Sequence, residues 1–265
     1  MSETSSAQVL YLKKQKQHRW FVRFSRITIF VLFLLIWELA SRLGIIDSFV
    51  FSSPSQIAIC FWKMVLDKSI FLHIGITLYE TIVSFVLVTF LSILLATLLW
   101  FSQKLTEITE PFFVVLNSLP KSALAPLLIV WLGATPTTII VAGMSVAVFG
   151  SILNMTTSFK EVDAEKIKLI YTLRGNKIQA LTKVVIPSSV PAIISNMKVN
   201  IGLCLVGVII GEFLAARNGL GYLIIYSSQV FKLDWLLMSI CILCIIAMGL
   251  YSLINLIEKY YAKRF

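Results

Sequence analysis

The sequence predicts an all-α membrane protein with about six transmembrane helices and a cytoplasmic helix hairpin between spans 4 and 5. Three observations lead there. Of the 265 residues, 58% are hydrophobic and 14% charged, where a soluble domain carries about 45–50% and about 25%. The apolar residues come in long uninterrupted runs, several near the roughly 20 residues that cross a hydrocarbon layer. The charges gather in short segments between those runs, the positive-inside pattern. The net charge of +10 therefore belongs to a membrane topology and does not point to nucleic acid.

Residues 1–26 open with a polar stretch, followed by Lys13, Lys14, Lys16, Arg19, Arg23 and Arg26. The apolar run 27–46 has no small-residue cleavage site after it and holds Trp37-Glu38 in its later half. It reads as a retained first span and not as a cleaved signal. In the segment 47–72, Ser52-Ser53-Pro54-Ser55 break the apolar pattern, and Ile57, Phe61, Met64 and Val65 then recur at helical spacing. Ser53 fits an N-cap with Pro54 at the first position of an external amphipathic helix. Residues 73–257 carry the other five spans, at about 76–101, 113–132, 137–155, 190–210 and 235–257. Pro120, Lys121 and Pro126 interrupt the third of the six. Residues 258–265 form a basic tail.

Lys/Arg bias orients the spans. With the N-terminus inside, the segments 1–26, 102–112, 158–186 and 258–265 hold 6, 1, 6 and 3 Lys/Arg, 16 in all. The segments on the other side hold Lys63, Lys68, Arg217 and Lys232. Both termini are expected in the cytoplasm, and with them the long loop 158–186.

In that loop Asp163 fits an N-cap with Glu165 in the first turn. Ile167, Ile170, Tyr171 and Leu173 mark one helical face, and Gly175-Asn176 supplies a turn at which both residues tolerate positive φ. A second amphipathic stretch runs through Ile178, Leu181 and Val185, after which Pro187 is expected to begin a new helix. On the residues alone, this hairpin serves equally as a passive connector or as a knob for a groove on another protein.

Single residues extend the picture. Pro120 and Pro126 break a span, which lipid tolerates where protein or water satisfies the freed carbonyls, so this span is expected to line a path, with a simple kink as the alternative. Glu212 stands at the outer end of the fifth span, either facing a cavity or in interfacial water. Lys198 either pairs with Glu80 or reaches back to the interface. Gly207 and Gly211 permit close helix approach, between two copies or within one. Cys241 and Cys244 read as small buried hydrophobes, and no metal or catalytic cluster accompanies them or His18 and His73.

The run Thr172-Leu173-Arg174-Gly175-Asn176-Lys177, leading to Val184-Val185-Ile186-Pro187 and Pro191, resembles the EAA loop of binding-protein-dependent ABC importer permeases, the nitrate, sulfonate and taurine group in particular. Further stretches resemble the same family in the same order: Trp37-Glu38-Leu39, Ser53-Pro54-Ser55, Ser118 to Leu127, Trp131-Leu132-Gly133, Gly211-Glu212-Phe213-Leu214, and Gly219-Leu220-Gly221-Tyr222. The chain departs from the family where Lys168-Leu169-Ile170 stand for Glu-Ala-Ala, and where Arg174 stands for the family's glycine.

The resemblance implies a type I transmembrane domain over 73–257 of a bacterial plasma-membrane importer. The permease would pair with a second copy, sit on cytoplasmic ATPase subunits, and take a small anionic or organic solute from an external binding protein. The hairpin would be the coupling element, through Glu165, Leu173, Arg174, Gly175, Lys177, Ile178 and Pro187. The path would involve Pro120, Lys121, Pro126 and Glu212. No glycine in this chain is followed by lysine, so the Gly-x-x-x-x-Gly-Lys-Ser/Thr cradle is absent and ATP with Mg is expected in the partner ATPase. The rivals are an ion-coupled secondary transporter, a class with more spans, repeats and intramembrane carboxylates, and a membrane-embedded enzyme, which needs catalytic residues clustered at one depth.

Overall fold

The computed structural model describes residues 6–47 and 51–262, and the described residues form helices and turns only. The helices are α1 (Ser6–Arg42), α2 (Pro54–Leu66), α3 (Ser69–Phe101), α4 (Gln103–Ser118), α5 (Lys121–Leu132), α6 (Pro136–Lys160), α7 (Ala164–Thr172), α8 (Lys177–Ala180), α9 (Ile186–Ala215), α10 (Leu220–Gln229) and α11 (Leu233–Ala262), with a π-helical turn at Leu181–Val185 between α8 and α9. Five stretches are long and apolar enough to cross a membrane, and the bent pair α4–α5 makes a sixth.

The centre of the bundle is α6, packed between α3 and α9. Small residues bring these helices close, because in lipid association depends on close backbone packing and interhelical hydrogen bonds. A Cβ on Gly207 would stand 2.8 Å from the Gly143 Cα, and one on Gly211 would stand 3.1 Å from the Ile139 Cα. The Gly207-x-x-x-Gly211 pair thus serves packing within the subunit. Hydrogen bonds reinforce the seam: Ser84 donates to the Ile140 carbonyl, and the Asn196 and Asn200 amides donate to Ser151 Oγ at 2.7 and 2.8 Å.

The first helix begins well before Ile27. Its 37 residues extend about 55 Å at 1.5 Å per residue, longer than the bilayer core of about 30 Å. It joins the rest through α2, where Glu38 accepts from the Ser55 N–H and hydroxyl. Ser53 caps α2 as its sequence indicates, accepting from the Gln56 N–H. Together α2, α3, α10 and α11 enclose an apolar cluster around Met64, Ile70, Leu220, Leu223 and Met238.

Three expectations are corrected. The third span is two helices meeting at 95°, and the break falls at Leu119-Pro120, while α5 continues past Pro126. Lys121 holds the bend: its Nζ donates to the Leu116 carbonyl at 2.5 Å and lies over the Phe149 ring. Pro187 stands in the first turn of α9 as expected, but no break precedes it, because the chain stays helical over Lys177–Ala215. The π turn lets it pass. The Ile186 N–H reaches the Leu181 carbonyl, and the wider turn shifts the carbonyls that a proline ring would otherwise meet. Lys198 pairs with Glu258 at 2.5 Å and with Asn255, not with Glu80. Cys241 and Cys244 are exposed while Ile242 and Leu243 between them are buried. An outward face of a membrane helix is as apolar as a core, so small apolar residues there signal lipid as readily as burial.

Candidate functional site

Two sites stand at opposite ends of the bundle. The first is the hairpin α7–α8, at the end where α3 stops and α6 turns. Asp163 caps α7 by accepting from the Glu165 N–H at 2.8 Å. The helix closes in a Schellman motif: Gly175 N–H donates to the Ile170 carbonyl at 2.8 Å and Arg174 N–H to the Tyr171 carbonyl at 3.0 Å. The left-handed position of this motif falls on Arg174, with φ 59°, and not on Gly175 or Asn176, although both tolerate positive φ. A side chain in that region costs about 1 kcal/mol.

Gly175 is needed for closeness instead. A Cβ there would stand 2.8 Å from the Ile170 carbonyl oxygen. Asn176 has φ −97° and begins α8 in a capping box with Gln179, each backbone N–H donating to the other's side-chain oxygen.

The hairpin has an inner and an outer face. Ile167, Leu181 and Val185 pack with Phe159 and Met155 under the bundle. Leu169, Leu173 and Ile178 point away and are 58%, 71% and 61% exposed. They form an apolar ridge across both arms of the turn. Glu165 and Arg174 are exposed beside it. Lys177 does not join the ridge. Its Nζ donates to the Phe101 carbonyl at 2.6 Å and lies over the Trp100 and Phe101 rings, so it closes the C-terminus of α3 and fastens the hairpin to it. Pro187 lies within the continuous helix, beyond the π turn and apart from the ridge.

The second site surrounds Glu212, which is wholly buried. Its Oε1 accepts from the Thr77 hydroxyl at 2.6 Å and its Oε2 from the Gly221 N–H at 2.5 Å. The Gly219 N–H donates to His73 Nδ1 at 3.0 Å and the Leu220 N–H to Thr77 Oγ1 at 2.8 Å. The opening N–H groups of α10 have no partners within their own helix, and side chains from α3 and α9 take that place. Gly219 has φ +117° and its Cα lies against the Glu212 carboxyl, where a Cβ would collide with it. Glu212 therefore locks the segment 216–222 onto the bundle. The role of His73 and Thr77 in this lock rests on a sequence separation of 146 and 143 residues from their N–H partners.

The Bacillus subtilis protein named putative aliphatic sulfonates transport permease SsuC is 24% identical over 226 residues, covering 85% of this chain and 82% of its own. The formylaminopyrimidine transport permease ThiX of Halalkalibacterium halodurans is 27% identical over 194 residues, covering 73% of this chain and 76% of its own. Among solved structures, an inward facing conformation of the MetNI methionine ABC transporter shares the fold, with TM-score 0.62 at 17% identity over 70% of this chain and 93% of the other. Residues 88–265 match the family described as the binding-protein-dependent transport system inner membrane component, and the chain belongs to that family.

Proposed function

We propose that this permease works as a pair of identical subunits that docks on cytoplasmic ATPase subunits through the α7–α8 hairpin. The observation that carries this reading is the exposed ridge of Leu169, Leu173 and Ile178. Three large apolar side chains on a short, doubly capped hairpin make a knob suited to a protein groove. A passive connector would turn those side chains inward, as it does Ile167.

In this reading ATP and Mg belong to the partner, and an external binding protein delivers the solute. Both termini lie in the cytoplasm, placing the basic residues 13–26 beside the inner leaflet of the cell membrane. The cargo is a small anion or small organic molecule, in line with the sulfonates, formylaminopyrimidine, taurine and nitrate for which similar proteins are named. The Lys121-stabilised bend between α4 and α5 is the irregular backbone that a solute path tolerates.

Co-expression with the neighbouring genes and purification under mild conditions tests the docking. An ATPase subunit co-purifies at about one to one, and Leu173→Asp or Ile178→Asp lowers that association at least about tenfold. Unchanged association removes the hairpin from the contact. Transport by the chain alone, driven by an ion gradient, overturns the whole reading in favour of a secondary transporter.

A further inference from the structure

The segments assigned to the cytoplasm differ in how their charge is composed. The loop 158–186 mixes its cations with Glu161, Asp163 and Glu165, and the segment 102–112 sets Lys104 beside Glu107 and Glu110. Between Glu3 and Glu38 the chain carries six Lys/Arg and no Asp or Glu. None of the six takes part in an ion pair among the described residues.

Four of these cations share one face of α1. Lys16, Arg19, Arg23 and Arg26 recur at helical spacing, which keeps them within an arc of about 80°. All four are exposed. On the adjoining face Trp20 and Phe24 stack with ring centroids 5.5 Å apart and are also exposed. No residue of 13–42 is buried. The hydrogen bonds from Ser55 to Glu38 fasten α1 at its other end, so this chain leaves the stripe uncovered.

Depth and chemistry say what covers it. The apolar run begins at Ile27. At 1.5 Å per residue, Arg26, Arg23 and Arg19 stand about 2, 6 and 12 Å before it, against a headgroup layer about 5–8 Å deep. The two nearer arginines lie at the depth of the lipid phosphates, and the long side chain of the third reaches the edge of that layer. Phe24 and Trp20 stand at similar depths, where aromatic rings anchor spans. Guanidinium groups grip phosphate oxygens in pairs. Orientation alone needs cations on any side of the helix; a one-sided, acid-free stripe beside a ring pair matches a bound headgroup. A zwitterionic headgroup would bring its own cation toward the stripe, and an anionic one does not.

We propose that this stripe binds anionic phospholipid of the inner leaflet. Arg19, Arg23 and Arg26 hold headgroup phosphates, Lys16 adds to the field, and the Trp20–Phe24 pair lies against the boundary with the acyl chains. The bound lipid fixes the depth of a helix that the bundle holds from the far end. The inference rests on the cytoplasmic N-terminus of the proposed function only for the choice of leaflet.

The test uses the full-length protein in neutral detergent, with bound lipid counted by native mass spectrometry against added phosphatidylglycerol or phosphatidylcholine. Phosphatidylglycerol binds at concentrations at least about tenfold lower than phosphatidylcholine. The triple variant Arg19→Gln, Arg23→Gln, Arg26→Gln brings the two lipids level. Removing the same charge from the loop, by Lys166→Gln, Lys168→Gln and Lys183→Gln, leaves the preference in place. Glycerol phosphate at the lipid's concentration does not displace it.

Equal binding of the two lipids by the wild-type protein overturns the proposal, whatever the variants do. So does a triple variant that keeps the preference, or a loop variant that loses it as fully, since the attraction then belongs to net charge alone. Displacement by glycerol phosphate makes the stripe a site for free phosphate, and a triple variant that keeps its lipid but loses the ATPase makes it a protein contact; each overturns the lipid site. Protease access to an N-terminal tag in sealed, oriented vesicles reports the side of the membrane separately, so failure of the topology is distinguishable from failure of the lipid site.

Discussion

At one end of the bundle Leu173 and Ile178 stand 71% and 61% exposed on a turn that places a left-handed backbone on an arginine. At the other end Glu212 is wholly buried, both its oxygens are engaged, and two glycines press against it. The hairpin end spends its apolar side chains on its outside. The far end spends polar side chains on its inside, to hold a helix start against neighbouring spans. The contrast separates an apolar surface turned outward from a polar seam turned inward, and substitutions at the two ends should fail in different ways.

The largest effect is expected at the seam. Glu212→Ala leaves the Thr77 hydroxyl and the α10 amides without acceptors in a buried place, a loss of about 3 kcal/mol, checked by thermal unfolding of the purified protein. An unchanged midpoint would mean that the far end is not locked by this carboxylate. Next is Gly175→Ala, which forces a Cβ onto the Ile170 carbonyl and destabilises the hairpin by about 2 kcal/mol. Hydrogen exchange confined to residues 164–180 is the readout.

Lys177→Met removes the donor to the Phe101 carbonyl and weakens the hairpin's attachment by about 1.5 kcal/mol, seen as faster protease cleavage of the turn while the spans resist. By contrast, Leu173→Asp changes stability by less than about 0.5 kcal/mol while the proposed docking weakens, and a large loss of stability there would blur the distinction between the two ends. One further effect has the opposite sign. Arg174→Gly relieves about 1 kcal/mol of left-handed strain and gives back about 0.5 kcal/mol in unfolded-chain entropy, for a net gain of about 0.5 kcal/mol in hairpin stability by hydrogen exchange.

The spans and the hairpin were legible in the sequence because lipid imposes a length on apolar runs and helix caps have local signatures. Ser53 and Asp163 act as their spacing indicates. The Asn176-x-x-Gln179 capping box was also written there, in a spacing that announces a helix start. Other features had no local signal. Two prolines six residues apart mark one span equally, and only the Lys121 contact with the Leu116 carbonyl distinguishes Pro120 as the break. Glu212 appears as an acid beside a glycine, and its Thr77 partner is 135 residues away. Arg174 shows the limit of residue preference, since the geometry of the helix end put the left-handed turn one place before the available glycine.

The uninterrupted helix from Lys177 to Ala215 has a mechanical consequence. Its 39 residues make a rod about 58 Å long, with the second arm of the hairpin at one tip and Glu212 near the other. Beyond the π turn, a push along this helix arrives at the far rim as displacement along a stiff lever. The π turn at Leu181–Val185, where the hydrogen-bond register is already loosened, is the joint at which that lever can flex.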